Sequence, residues 1–110
     1  MRIAEWLKIL STEGGSDLYL STGAPPCAKF QGQLKPIASE IMRPGEIREI
    51  ACELMDATQR AQFEQELEMN LATSISGYGR FRVNIFMQRN EVGIVARNIV
   101  ADIPSWQSLR

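Results

Sequence analysis

Apolar residues first recur at Ile3, Trp6, Leu7 and Leu10, the i, i+3, i+4, i+7 stripe of an amphipathic helix. The spacing predicts a helix over 2–13, ending where Gly14-Gly15 can supply a left-handed cap. From Ser16 to Ser21 the period drops to two. Leu18 and Leu20 face one way and Asp17, Tyr19 and Ser21 the other, until Gly23, Pro25 and Pro26 break the run. Residues 27–37 read as two extended pieces around Gln31-Gly32-Gln33, where the glycine permits a tight reversal, and Pro36 marks an edge position or a strand end.

The helical period returns at Ile47, Ile50, Ala51 and Leu54, predicting a second helix over 44–55 with Pro44 in its first turn. A third helix is expected to be capped by Thr58 and to run through Leu67. From residue 69 the period is again two. Met69, Leu71, Thr73 and Ile75 share a face, Ser76-Gly77-Tyr78-Gly79 turns the chain, and Phe81, Val83, Ile85 and Met87 alternate with Arg80, Arg82, Asn84, Phe86 and Gln88. Asn90-Glu91 is expected to close a hairpin into residues 92–99, and Pro104-Ser105 to mark a departure from the domain. The predicted class is α+β, a mostly antiparallel sheet with helices packed on one side.

Composition narrows the chemistry. A chain of 110 residues, 45% apolar and 23% charged, fits one globular core. The net charge of −1 supplies no general attraction to nucleic acid or anionic membrane. The absence of histidine removes Ser-His-Asp and Cys-His catalysis and every His-ligated metal site, so no metal site is predicted. Cys27 and Cys52 form no C-x-x-C and read as reduced core thiols. Charged residues interrupt the first thirteen positions, and no run of about 18 apolar residues occurs, so a soluble, cytoplasmic domain is expected. Residues 40–68 hold eight acids against three arginines, which read as solvated helical faces.

Residues 78–97 carry Arg80, Arg82, Arg89 and Arg97 against the single acid Glu91, a local surplus of three positive charges. Arg80 and Arg82 share one strand face and Arg97 lies on the partner strand, an arrangement able to converge on a phosphate. Arginines on an exposed strand also serve solubility and cross-strand pairing with acids, here those of the helices. No Gly-Lys pair exists, so the chain alone carries no P-loop and is not by itself an ATPase. Gly77-Tyr78-Gly79 lacks the third glycine of a dinucleotide fingerprint and precedes a strand, so it reads as turn chemistry. Gly79-Arg80-Phe81 is superficially like an RNA-recognition strand, but Phe81 falls on the apolar face and Arg80 where a stacking ring is needed. Trp6 reads as core, and Trp106 as packing against a neighbouring domain or lying on a tail.

Taken in order, Gly15-Ser16-Asp17-Leu18-Tyr19-Leu20, Gly23-Ala24-Pro25-Pro26, Gly32, the helix pair with Met55, Gln59-Arg60 and Phe63-Glu64, and Gly79-Arg80-Phe81-Arg82-Val83-Asn84 through Ile103-Pro104 closely resemble a family. They resemble the N-terminal domain of type IV pilus retraction ATPases, the PilT/PilU-like members of the secretion ATPase superfamily. Gln88-Arg89-Asn90 followed by Val92-Gly93-Ile94-Val95 looks more like the PilU type. Tyr19 stands where many members carry histidine, so no imidazole role transfers.

The resemblance implies a PAS-like domain over 1–100 and the start of an interdomain linker over 101–110, with a C-terminal RecA-like P-loop domain absent. It implies ATP and magnesium in the full-length protein and no cofactor for the isolated domain. It further implies phosphate contacts from Arg82, Arg97 and Arg80, with Asn84 and Gln88 supporting on the same face. The implied partners are the chain's own P-loop domain, neighbouring subunits of a homohexamer and the pilus machinery at the inner membrane, with no nucleic acid. The work implied is powering pilus retraction and twitching motility. The rival expectation is a free-standing PAS-like ligand sensor or interaction adaptor.

Overall fold

The computed structural model describes residues 2–99. The first helix, α1 (Arg2–Thr12), buries Ile3, Trp6, Leu7 and Leu10, the stripe read from the sequence. It ends in two bonds of a Schellman cap: Gly14 N–H donates to Ser11 O (3.3 Å) and Gly15 N–H to Leu10 O (2.8 Å). Gly14 supplies the left-handed residue at φ 74°. Gly15 is needed for space, since a Cβ there would come within 2.6 Å of Leu10 Cδ1 and 2.9 Å of Phe30 Cε1.

Strands β1 (Asp17–Leu20), β2 (Cys27–Phe30) and β3 (Gln33–Pro36) follow, with Pro36 ending an edge strand whose four residues are all exposed. The β2–β3 hairpin turns through Gln31-Gly32, both at positive φ, as a two-residue reversal of type I′ requires. Helix α2 (Glu46–Leu54) starts two residues later than expected, because Gly45 adopts a left-handed φ of 84° and becomes the N-cap, leaving Pro44 outside. Helix α3 (Ala57–Glu66) is capped by Asp56 rather than Thr58. The Asp56 carboxylate accepts from Gln59 N–H (2.8 Å), while the Gln59 side chain accepts from Asp56 N–H (2.9 Å), a capping box that Thr58 cannot form from inside the helix.

Strands β4 (Glu68–Ile75), β5 (Gly79–Gln88) and β6 (Glu91–Ile99) form the expected meander. The β5–β6 turn is Arg89-Asn90 and not Asn90-Glu91: both turn residues have positive φ, and Glu91 already pairs with Gln88. All pairings are antiparallel, in the order β3-β2-β1-β6-β5-β4. The first strand thus lies against the last, and joins the N-terminal three strands to the C-terminal three.

One face of this sheet presents Leu18, Leu20, Ala28, Phe81, Val83, Ile85, Ile94 and Ala96 to α1 and α2 and to Met55 and Phe63, forming a single core. The α+β expectation, with helices on one side, holds. The cysteines differ from expectation: Cys27 and Cys52 are free but only half-buried, and Cys27 pairs in register with Tyr19 on the sheet's other face. Among the described residues, no helix is long and apolar enough to cross a membrane. The linker reading of 101–110 and the reading of Trp106 lie outside the described residues.

Candidate functional site

The face of the sheet turned away from the helices is built by the strand alternation that fills the core. On β5 the odd positions 81, 83 and 85 are buried, so Arg80, Arg82, Asn84, Phe86 and Gln88 point outward. Register then decides which outward residues meet. Arg82 stands directly opposite Arg97 on β6, and Arg97 directly opposite Asp17 on β1, whose other neighbour on β2 is Lys29. One cross-strand row therefore reads Lys29, Asp17, Arg97, Arg82.

Asp17 is 6% exposed although it sits on the outer face. Its Oδ1 accepts from Arg97 Nε (3.1 Å) and its Oδ2 from Ser16 Oγ (2.8 Å), so both oxygens of the buried carboxylate are engaged. Arg97 keeps its guanidinium side chain 73% exposed. Arg82 and Arg80 make no ion pair among the described residues, where the pairs are Arg2–Glu46, Arg48–Glu64 and Arg97–Asp17. Like charges directly opposite one another on neighbouring strands are unfavourable, and one carboxylate neutralises only one of these two guanidiniums. The row is left with an uncompensated positive charge beside a depression of about 150 Å³ lined by Asn70, Arg82, Asn84, Val95 and Arg97.

The five residues expected to act together are not equally close. Arg82, Arg97 and Asn84 line that depression, with Asn84 Nδ2 donating to Asn70 Oδ1 (2.9 Å) and Glu68 Oε2 (3.2 Å). Arg80 stands one outward position along β5, about 7 Å away, and lines a separate cleft of about 640 Å³ with Ser11, Tyr78 and Asn98. Gln88 shares the face but lies three outward positions from Arg82, about 20 Å along the strand, beside Arg89 at the hairpin end. Arg89 is likewise remote from the row, in the turn itself.

Asp17 was not apparent as a site residue in the sequence, where it is only the polar member of a short alternating run. The acid that pairs with the arginine strand comes from β1, 80 residues away, and not from the acidic helices. Among the helical acids, Glu64 binds Arg48 at 2.8 Å. Glu46 binds Arg2 (2.7 Å) and accepts from Arg43 N–H (2.8 Å), and the backbone bond from Arg43 followed by the Arg2 guanidinium hold its carboxyl below the usual glutamate range. Trp6 belongs to the core with the Arg2 guanidinium over its ring at 5.6 Å, and Phe81 is fully buried on the core side.

No family model matches the chain. Individual proteins do. The type IV pilus ATPase PilU of Pseudomonas aeruginosa is 38% identical over 110 residues, the whole of this chain and 29% of the relative. The type IV pilus retraction ATPase PilT of the same organism is 32% identical over 109 residues, 99% of this chain and 32% of the relative. The chain thus spans about a third of the length of the curated relatives it matches. The crystal structure of the pilus retraction motor PilT with bound ADP superposes with a TM-score of 0.86 at 30% identity, covering 97% of this chain and 32% of that one. The DotB ATPase of Legionella pneumophila shares the fold, with a TM-score of 0.71 at 20% identity over 97% of this chain and 30% of its own.

Proposed function

We infer that this chain, which matches the type IV pilus ATPases PilU and PilT along its whole length, is the N-terminal domain of a PilU-like retraction motor. Residues 1–100 form that domain, and 101–110 begin the linker to a C-terminal P-loop domain. In this reading the P-loop domain holds ATP and its magnesium, and the outer sheet face described above closes over the phosphates. Arg82 and Arg97 contact them, Arg80 approaches from the same strand, and Asn84 and Gln88 flank the path. Six such subunits form a ring at the cytoplasmic side of the inner membrane and power pilus retraction and twitching motility.

The observation that carries the reading is the register pair Arg82–Arg97, two opposed guanidiniums of which only Arg97 has a carboxylate partner among the described residues. A phosphate oxyanion is what such a pair lacks: it relieves the mutual repulsion and accepts charge-assisted bonds from both. Positive groups placed against phosphate where charge develops stabilise its transfer, and a group delivered by a moving domain couples nucleotide state to that motion. The chain brings guanidiniums but no Gly-Lys pair, so it supplies one side of a shared site.

An NMR titration of the labelled chain with Mg-ATP, alone and then with a separately produced PilU-type P-loop domain, tests this. Side-chain signals of Arg82 and Arg97 should move only when both domains are present. Silence at both arginines while another surface responds would remove the phosphate role and leave docking or ligand sensing as the work of the domain. In the full-length ATPase, Arg82→Ala should impair ATP turnover.

A further inference from the structure

We propose that Asp17 is a positioning residue for the anion site: it grips Arg97 by Nε alone and thereby aims the two Nη groups of that guanidinium outward, alongside Arg82. The proposal rests on the phosphate reading of the Arg82–Arg97 pair and assigns to it a residue that touches no phosphate itself.

The geometry points this way on three counts. The carboxylate is buried, with an 8% exposed side chain, while the guanidinium it holds is 73% exposed. A surface ion pair formed for its own sake would leave both groups in solvent, where such pairs contribute little. The contact is made through Nε at 3.1 Å, and the Nη groups have no acceptor among the described residues. The Nη1–Nη2 edge therefore stays open to a second, planar or tetrahedral oxyanion. The carboxylate is itself fixed, since Ser16 Oγ holds Oδ2 at 2.8 Å. Ser16 is in turn pinned between two strands: its N–H donates to Lys29 O (2.9 Å), and its carbonyl accepts from Asn98 N–H (3.0 Å). The aim of Arg97 is thus anchored in the β2–β1–β6 backbone ladder. Lys29, the other cation in register with Asp17, directs its ammonium over the Tyr19 ring at 6.0 Å.

Electrostatics and positioning predict opposite signs for Asp17→Asn. The substitution removes a negative charge beside an anion site, which by Coulomb's law alone tightens anion binding. If Asp17 positions Arg97, the same substitution frees a long side chain whose ordering must then be supplied on binding, and weakens it.

The experiment is Mg-ATP titration of the chain together with the P-loop domain, read at the side-chain N–H signals of Arg82 and Arg97, for wild type, Asp17→Asn, Arg97→Ala and the double variant. In the nucleotide-free wild type, the Arg97 Nε–H should be protected from exchange with water, and in Asp17→Asn that protection should vanish. Asp17→Asn should weaken the Mg-ATP response roughly fivefold, equivalent to about 1 kcal/mol. In the Arg97→Ala background it should have no further effect. Unchanged or tighter binding by Asp17→Asn would overturn the positioning role while leaving the phosphate reading intact. Silence of both arginines in the wild type would sink the phosphate reading, and this proposal with it. Should Asp17→Asn not fold, Ser16→Ala loosens the same carboxylate, and a response equal to wild type would also overturn the proposal.

Discussion

Arg82 and Arg97 face each other across β5 and β6, and Asp17 engages only Arg97 from the far side, so removing one cation has opposite consequences for stability and for binding. Arg82→Ala relieves a like-charge pair on an exposed face. We expect its melting temperature to match or slightly exceed wild type, within about 0.5 kcal/mol, while the nucleotide response at Arg97 is lost. Thermal melting and the titration on the same sample check both halves. Two glycines, Gly15 before β1 and Gly93 in β6, are needed for space. Gly93, opposite Phe86, leaves room for the ring, and a Cβ there would come within 2.7 Å of Phe86 Cε2 and Cζ. That clash involves the outer end of a half-buried side chain, whereas at Gly15 a Cβ would meet the fully buried Leu10, the half-buried Phe30 and also the Lys29 carbonyl oxygen at 3.3 Å. Gly15→Ala should therefore cost about 2 kcal/mol and lower the melting temperature by roughly 10 °C. Gly93→Ala should cost about 1 kcal/mol and be relieved by Phe86→Leu, with melting curves of the three variants as the check.

Among the elements, α3 depends most on its ends. It buries only Phe63 and has no continuous apolar stripe, so the Asp56–Gln59 capping box carries an unusual share of its stability. Asp56→Ala should destabilise by about 1 kcal/mol, and Thr58→Ala by much less, measured by chemical denaturation; equal effects would restore Thr58 as the cap. Helix α2 has no side-chain cap at Gly45 and is tied instead to α1 through Arg2 and Glu46. The Glu46 carboxyl is held below its ordinary value in the fold by the Arg43 backbone bond and then by Arg2. A lowered folded-state value means that its contribution is present above the unfolded glutamate range and is lost as pH falls through the folded value. In the acid limb of the stability curve, Glu46→Gln should therefore differ from wild type at neutral pH and converge with it at low pH. An NMR titration should place the Glu46 midpoint below the usual glutamate range.

At the scale of the whole molecule, charge is divided by layer. Most of the acids lie in segment 40–68, while the outer sheet face sets Lys29, Arg80, Arg82 and Arg97 against Asp17 and Glu68, so a chain of net charge −1 still presents a positive surface. Anion binding there involves exposed groups and should weaken as salt rises, whereas the melting temperature, set by the buried core, should change little. Much of this was legible in the sequence, because it follows from local periodicity. Helices and strands were recognisable from which positions alternate, the core from the residues on their apolar faces, and the outward direction of Arg80, Arg82, Asn84 and Gln88 from strand parity alone. The similarity to the pilus ATPases PilU and PilT was legible as well, from motifs strung along nearly the whole chain. Conformation at single residues was less so: a left-handed Gly45 shortened α2, and Arg89-Asn90 took the turn, since positive φ at a non-glycine residue leaves little trace in composition. What only the tertiary structure decided was register between distant strands. Periodicity fixes the face a side chain takes but not which strand lies beside it. The pairing of β1 with β6 across 80 residues set Asp17 on Arg97, and the β5–β6 register set Arg97 on Arg82 while leaving Gln88 at the far end of the same face. These contacts depend on closing long loops around one shared core, a property of the assembled sheet and not of any segment within it.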